Sequence, residues 1–151
     1  MDEGTLQEQA AIWGPLVEGA FVGLLVASSL RLPFFYSEPQ RDDSEPGLFP
    51  VSYPIPKPLQ AQLPGRRVAV VNDVINAGSA VRGTLAALEE CDARPVAIGT
   101  LAVYGEAATK LAAAHEVPLE TLASFPSQVW EPLSCPLCSR GIPLTEGRPA
   151  V

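Results

Sequence analysis

Residues 68–80 have the sequence VAVVNDVINAGSA, the most informative stretch for the architecture of the chain. The run from Arg67 to Val71 is rich in valine, which is typical of a strand buried on both faces. Asp73 to Gly78 contains mostly polar and small residues, which predicts a tight turn. From Ser79 to Cys91 apolar residues recur at helical spacing, so a helix should follow. A buried strand, a turn and a helix in this order form one unit of an α/β fold.

Strands alternate with helices along the rest of the chain. The expected strands are residues 10–13, 32–37, 94–103, 117–125 and 128–130, and the expected helices are residues 16–30 and 106–115. The helix at 16–30 is apolar nearly all round, which predicts burial on most of its faces. The alternation predicts an α/β fold with a mostly parallel central sheet and flanking helices.

The length and composition indicate one globular unit. The chain has 151 residues, the size of one domain, and 47% of them are hydrophobic, which excludes general disorder. We expect a single domain over residues 1–151, with a proline-rich loop at 38–65 and a turn-rich tail at 131–151. Within that loop, Val51 to Ile55 is a candidate short edge strand, where proline is tolerated.

The charge balance limits the possible partners. The net charge is −7, from 17 acids against 10 bases, which argues against nucleic acid or an acidic membrane surface as the main partner. The most apolar stretch, residues 19–30, is shorter than the roughly 20 residues that a membrane-spanning helix needs. Residues 1–10 carry acids and no base, unlike a signal peptide. We therefore expect a cytoplasmic protein with no membrane or nucleic-acid partner.

The cysteines and the histidine offer few metal ligands. The chain has three cysteines and one histidine, which excludes a disulfide scaffold and a histidine-rich metal site. Cys135 and Cys138 form a C-x-x-C pair, which could be half a zinc site, a redox pair or a reduced structural turn. A single pair lacks two zinc ligands, so we favour the structural turn and assign no metal-binding residue. His115 is expected at a helix end, where a cation suits the dipole.

The candidate site lies where the strand at 67–71 gives way to the next helix. Ligands of open α/β sheets bind at the carboxyl ends of the strands, where Asn72 and Asp73 are placed. The first N–H groups of the following helix lack partners within it and, together with the helix dipole, favour an anion. A phosphate on the turn and a diol on Asp73 would describe a sugar phosphate. A plain strand–turn–helix with Ser79 as N-cap explains the spacing equally well.

Two stretches resemble motifs of one known family. Val70 to Ala80 resembles the phosphoribosyl pyrophosphate signature of the type I phosphoribosyltransferases. Gly14 to Ala20, before the apolar helix, resembles the pyrophosphate loop of that family. The similarity runs in order over about residues 10–125 and is greatest to the orotate phosphoribosyltransferase branch. It implies the type I phosphoribosyltransferase fold and a homodimer.

The resemblance also implies a reaction and a set of site residues. A nitrogen of a base, orotate or a similar one, would displace pyrophosphate from C1 of phosphoribosyl pyrophosphate, and Mg²⁺ would arrive with that substrate. Asp73 would be the catalytic residue and would bind the ribose hydroxyls. The 5′-phosphate would contact Asn76, Ala77, Gly78, Ser79 and Ala80, and the pyrophosphate would lie along Pro15, Leu16, Val17 and Glu18. Asn72, Arg41 and Tyr104 complete the candidate substrate-binding residues.

Several positions depart from the family pattern. Asn72 stands where the family has the first acid of a pair, and Asn76 stands where threonine is usual. The mobile loop of the orotate enzymes is basic, whereas residues 38–56 hold one base, Arg41. Tyr104 begins the stretch where those enzymes place an arginine, and the hood segment over the base is expected to be absent.

These departures keep two other hypotheses open. The alternative is a non-catalytic protein of the phosphoribosyltransferase fold that binds a ribose phosphate and acts as a regulator or scaffold. A third hypothesis is an unrelated α/β domain whose turn binds only a phosphate.

Overall fold

A computed structural model describes residues 10–41, 51–127, 130 and 132–143. In chain order the elements are β1 (Ala10–Pro15), α1 (Glu18–Leu30), β2 (Phe34–Ser37), β3 (Gln40–Arg41), β4 (Val51–Ser52), α2 (Lys57–Gln60), β5 (Arg67–Ile75), α3 (Ser79–Glu90), β6 (Arg94–Tyr104), α4 (Ala107–Ala114) and β7 (Leu119–Phe125). Short 3₁₀ turns follow at Pro132–Ser134 and Cys138–Arg140.

Strand β5 is the centre of a five-stranded sheet with the order β2-β1-β5-β6-β7. All the pairings are parallel; Ile12 pairs with Ala69 on one side of β5, and Val70 pairs with Ile98 on the other. Val68 and Val70 are fully buried, as the valine run predicts. The expected α/β fold with a parallel sheet is therefore confirmed.

Helices cover both faces of this sheet. On one face, α3 and α4 pack on the larger core, whose members include Trp13, Val70, Leu85, Leu88, Ile98 and Ala108. On the other face, α1 packs on β1 and β5 around Ile12, Ala27 and Val71. In open α/β sheets ligands bind at the carboxyl ends of the strands, which here is the side where α1 and α3 begin.

Trp13 joins three elements inside the larger core. Its indole is fully buried and stacks on Phe35 with ring centroids 5.8 Å apart. The indole Nε1–H donates to Oγ of Ser37 at 3.2 Å, and that hydroxyl lies 3.1 Å from Oγ1 of Thr84. These contacts hold β1 and β2 against α3, so the buried hydroxyls have partners.

The prediction that the helix at 16–30 is buried on most faces is wrong. Its fully buried residues are all small, namely Gly19, Ala20, Gly23 and Ala27, and Val22 and Val26 pack partly buried beside them. Its outer face carries exposed bulky side chains, with Phe21 at 65% and Leu25 at 69% exposure. Hydrophobic content alone did not reveal this, because the small residues let the helix lie close to the strands while the largest side chains remain exposed.

Some element bounds also differ from expectation. β5 continues to Ile75, so Asp73 lies within the strand and the turn is limited to residues 76–78. The short strand Val51–Ser52 pairs antiparallel with Gln40–Arg41 and forms a separate small sheet, not an edge of the main one. Trp130 lies outside any strand, and residues 128–129 of the strand expected there lie outside the described residues.

Other expectations concern single features. His115 follows α4 as its C-cap, as expected, and its Nδ1 lies 3.0 Å from Oε1 of Glu89 at the end of α3. In the described part of the chain, every helix is too short or too polar to cross a lipid bilayer.

Candidate functional site

A cavity of about 200 Å³ opens where β5 ends and α3 begins. Its walls are formed by Asn72, Val74, Ile75, Asn76, Ala77, Gly78, Ser79, Ala80 and Val81. All five residues predicted to contact a 5′-phosphate, 76–80, therefore lie around one space. They lie together because the turn at 76–78 leads directly into the N-terminus of α3 at Ser79.

Gly78 shapes the entry into α3. It is the N-cap residue and has φ 78°, a left-handed conformation that favours glycine. The N–H of Arg82 donates to the Gly78 carbonyl at 2.9 Å, so the N–H groups of Ser79, Ala80 and Val81 precede the first bond within the helix. The interpretation of Ser79 as N-cap is wrong, and no side chain caps the helix. These N–H groups and the positive end of the helix dipole are available to an anion.

Arg82 adds a positive charge beside the same turn. One guanidinium nitrogen, Nη2, donates to the carbonyl of Ala77 at 3.3 Å. The described residues that line the cavity are uncharged. The exposed Arg82 side chain therefore places a positive charge next to the cavity.

Asn72 connects the cavity to the start of α1. Its side chain is buried, and Nδ2 donates to the carbonyl of Val74 at 2.8 Å. A Cβ added at Gly19 would overlap Oδ1 of Asn72, so the glycine permits this close approach. The amide of Asn72 therefore supports the local structure at the position where the family has an acid.

Gly19→Ala should lower the free energy of unfolding by about 1–3 kcal/mol, because the new methyl group displaces the Asn72 amide. Urea denaturation measures this change. In a double-mutant cycle, Asn72→Ala in the same chain should recover part of the loss, since it removes Oδ1. Additive effects of the two substitutions would contradict the contact.

Asp73 occupies the strand and does not line the cavity. Its side chain is partly exposed, and its carbonyl accepts a hydrogen bond from Oγ1 of Thr100 on the neighbouring strand β6 at 2.9 Å. The position differs from the expected one in the turn because β5 remains paired with β6 as far as Ile75. Asp73 is therefore held near the carboxyl end of the central strand β5, three residues before Asn76.

The predicted pyrophosphate residues form the connection from β1 to α1. Pro15 is buried at the end of β1, and the N–H of Leu16 donates to the Ser37 carbonyl at 2.9 Å. The Leu16–Val17 peptide bond is cis, and Val17 and Glu18 are exposed at the helix start. None of these four residues lines the cavity, but Gly19, which follows them, contacts Asn72.

The two remaining predicted residues, Tyr104 and Arg41, belong to other strands. Tyr104 ends β6 and stacks on Phe125 of β7, with ring centroids 5.1 Å apart. Tyr104 is 38% exposed and Phe125 is 46% exposed, both at the carboxyl ends of their strands. Arg41 belongs to β3, in the separate two-stranded sheet.

Tyr53 is a site neighbour that sequence reasoning missed. A Cβ added at Gly83 of α3 would lie 2.9 Å from Cδ2 of Tyr53, so the ring packs on the helix at this glycine. Burial raises the pKa of the Tyr53 phenol, and the carboxylate of Glu18 raises it further. Tyr53 thus links the proline-rich segment to the starts of α1 and α3. A glycine within a helical pattern was the available signal of such close packing.

Glu18→Gln should lower the pKa of Tyr53, because a negative charge near the phenol is removed. Ultraviolet titration detects the change when Tyr53 is the sole tyrosine, after Tyr36→Phe and Tyr104→Phe. Because the folded chain favours the neutral phenol, this group stabilises the fold below its ordinary pKa near 10, and the contribution disappears as the pH rises through the folded value. Glu120→Gln on β7 is the control, and equal titration curves for both variants would contradict the proximity.

A larger cavity of about 510 Å³ lies at the opposite end of the strands. Its lining includes Arg67 and Arg94, which begin β5 and β6, and Glu89 and His115 at the ends of two helices. Helix C-termini present carbonyl groups and disfavour anions, and ligands of α/β sheets bind at the other edge. We therefore place the candidate site at the smaller cavity.

Sequence comparisons identify the family. The family model described as "Phosphoribosyl transferase domain" matches residues 3–133. An orotate phosphoribosyltransferase of Thermotoga maritima is 35% identical over 80 residues, which are 53% of this chain and 41% of that protein. One of Desulforamulus reducens is 28% identical over 130 residues, which are 86% of this chain and 61% of that protein. The chain therefore spans only about two-fifths to three-fifths of these relatives.

Solved structures share the fold. An adenine phosphoribosyltransferase of Rhodothermus marinus superposes with a TM-score of 0.64 at 19% identity, covering 79% of this chain and 71% of that one. An orotate phosphoribosyltransferase of Aeropyrum pernix gives a TM-score of 0.57 at 24% identity, covering 82% and 64%. At these identities the likeness shows the fold alone. With the sequence match over residues 3–133, it follows that the chain belongs to the type I phosphoribosyltransferase family.

Proposed function

We propose that this chain transfers the phosphoribosyl group of phosphoribosyl pyrophosphate to a nitrogen of a base and releases pyrophosphate. The observation that carries the proposal is the N-terminus of α3, which opens onto the cavity without a side-chain cap. The N–H groups of residues 79–81 would donate to the 5′-phosphate, and Arg82 would add a positive charge. A phosphate at a helix N-terminus is a favourable arrangement.

Asp73 and residues 15–18 would position the rest of the substrate. The Asp73 carboxylate lies on the sheet edge before the turn and would accept hydrogen bonds from the ribose hydroxyls. The connection from Pro15 to Glu18, which is exposed at Val17 and Glu18, would lie along the pyrophosphate. The transition state would resemble an oxocarbenium ion, so catalysis would consist mainly of positioning C1 and the base nitrogen and of stabilising the developing charge.

Mg²⁺ would arrive with the substrate and would neutralise charge on the departing pyrophosphate. Within the described ranges, no three or more histidine, cysteine or acidic side chains form a group that could hold a metal ion. Asp73 offers one carboxylate at the sheet edge, and Asn72 is engaged with Val74. These residues fit an ion held mainly by the oxygens of the substrate and by water, as Mg²⁺ often is with phosphates.

The base is proposed to be orotate or a similar heterocycle. The relatives from Thermotoga maritima and Desulforamulus reducens carry the name orotate phosphoribosyltransferase. Tyr104 and Phe125 form a partly exposed aromatic pair at the carboxyl edge, and such rings favour contact with a planar base.

A homodimer, implied by the family resemblance, stays a prediction. We place its contact at the exposed side chains of Phe21, Leu24 and Leu25 on α1.

A specific observation favours the second hypothesis, a non-catalytic protein that binds a ribose phosphate. Asn72 replaces an acid of the family pattern, and its amide is committed to Val74 and to the close contact with Gly19. The substitution removes one negative charge next to the expected ribose. Binding of a phosphate at residues 76–80 does not need that charge, whereas turnover of the Mg²⁺-bearing substrate depends on the local charge balance.

A turnover assay separates these hypotheses. The chain is mixed with phosphoribosyl pyrophosphate, Mg²⁺ and one base at a time, and released pyrophosphate and new nucleotide are measured. We expect turnover with orotate or a related base, and loss of turnover in Asp73→Ala. Saturable binding without turnover on any base would favour the regulator or scaffold, and no binding at millimolar concentrations would overturn both.

A further inference from the structure

Cys135 and Cys138 share one exposed turn near the end of the described chain. Cys135 is partly exposed and Cys138 is exposed, and both are free thiols. The proposed transferase function uses neither of them. Their position outside the sheet leaves both sulfur atoms accessible to a small molecule.

The backbone holds the two cysteines in a helical turn. The N–H of Ser139 donates to the Cys135 carbonyl at 3.0 Å, and the N–H of Gly141 donates to the Cys138 carbonyl at 3.0 Å. Residues three apart in such a turn lie on the same side. A disulfide needs Cα atoms about 4.4–6.8 Å apart, a range that one helical turn satisfies.

Hydrogen bonds make the two thiols unequal. The N–H of Cys138 donates to Sγ of Cys135 at 3.5 Å, which stabilises a negative charge on that sulfur. This bond lowers the pKa of Cys135, whereas the thiol hydrogen bond to Cys135 raises the pKa of Cys138. Cys135 is thus the more readily ionised and more nucleophilic sulfur of the pair.

A zinc site is less consistent with this turn. Structural zinc takes four ligands, and the pair supplies two. Across residues 10–41, 51–127, 130 and 132–143, no third histidine, cysteine or acidic side chain joins the two cysteines. Cys91, the third cysteine, is the C-cap residue of α3, in a different part of the fold.

We propose that Cys135 and Cys138 form a reversible dithiol–disulfide pair, in which Cys135 reacts first with a low-molecular-weight disulfide and Cys138 resolves the product. The proposal concerns a redox modification site and is independent of phosphoribosyl transfer.

The exchange proceeds in two balanced steps. The Cys135 thiolate attacks one sulfur of the small disulfide, the S–S bond breaks, and one small thiolate leaves with the electron pair and takes a proton from water. Cys138 then loses its proton to solvent and attacks Sγ of Cys135, which releases the second small thiol. The protein has lost two electrons and two protons, and the small disulfide has become two thiols.

Mass spectrometry after incubation of the full chain with oxidised glutathione tests the proposal. The wild-type chain should lose two hydrogen atoms and two free thiols. Mass spectrometry of its proteolytic peptides should locate the disulfide between Cys135 and Cys138. Cys138→Ser should instead trap glutathione on Cys135. Cys135→Ser should react at Cys138 on the order of tenfold more slowly than Cys138→Ser reacts at Cys135, because in the latter variant the N–H of residue 138 still donates to Sγ of Cys135.

Cys91→Ser is the matched control and should behave as wild type. The pKa of the Cys91 thiol is raised by burial and by its neighbours Glu90 and Asp92, so it should remain unmodified throughout. Stable glutathione on both cysteines of the wild type, or trapping only in Cys135→Ser, would overturn the proposal. Tight binding of added Zn²⁺ that prevents the oxidation would overturn it in favour of a metal site.

Discussion

Asp73→Asn is expected to weaken the binding of phosphoribosyl pyrophosphate by roughly 10- to 150-fold, because charge-assisted hydrogen bonds worth about 1.5–3 kcal/mol are lost. Asparagine has the same shape, so the strand and the Thr100 bond to the backbone of residue 73 should persist. Calorimetric titration with Mg²⁺ present measures the dissociation constant.

Asp92→Asn provides the matched control for this prediction. Asp92 precedes β6 at the opposite edge of the sheet and has φ 54°, a conformation that asparagine tolerates well. The same chemical change there should leave the dissociation constant unaltered. Equal affinities for Asp73→Asn and the wild type would mean that another group holds the ribose.

Trp13→Ala is expected to lower the free energy of unfolding by about 3–5 kcal/mol, the usual cost of removing a large buried aromatic side chain. The indole is fully buried, and its loss would remove the stacking on Phe35 and leave Ser37 without its indole donor. Because small domains have stabilities of about 5–15 kcal/mol, this is a large fraction of the total. Urea denaturation followed by circular dichroism measures it.

The second tryptophan, Trp130, provides the control for the Trp13→Ala variant. Trp130 is 38% exposed and lies outside the sheet, so Trp130→Ala should change the free energy of unfolding by less than about 0.5 kcal/mol. Similar losses for the two variants would show that Trp13 is not the centre of the larger core.

The main elements of the fold could be predicted because their signals are local. The valine run of β5 and the helical spacing of α3 depend on neighbours in the sequence; β5 begins at the expected residue, and α3 lies within one residue of its expected bounds. The alternation of strands and helices then restricts the architecture to an α/β sheet.

Features set by distant residues could not be predicted from the pattern. β5 extends to Ile75 because Val74 and Ile75 pair with Ala102 and Val103, which lie almost 30 positions away. That pairing moves Asp73 from the expected turn into the strand. The outward face of α1 likewise depends on how closely its glycines approach the sheet, which hydrophobicity does not report.

The candidate site shows the same division. The turn at 76–78 and the helix N-terminus after it were predictable, because a turn of small residues before a helix leaves the first N–H groups of the helix accessible to an anion. The packing of Tyr53 on Gly83 and its proximity to Glu18 were not, because the proline-rich segment carries no periodic pattern. Gly78 as N-cap follows from its positive φ, which only the folded backbone reveals.

The phosphate of a ribose phosphate is proposed to bind at residues 76–80, which are the turn before α3 and the first two residues of that helix. NMR titration of the isotope-labelled chain with ribose 5-phosphate tests this binding residue by residue. We predict saturable shifts of the backbone amides from Ala77 to Val81, and no comparable shifts around Arg67 and Arg94 at the larger cavity. Unchanged amides from Ala77 to Val81, with saturable shifts at the opposite end of the strands, would contradict the proposal.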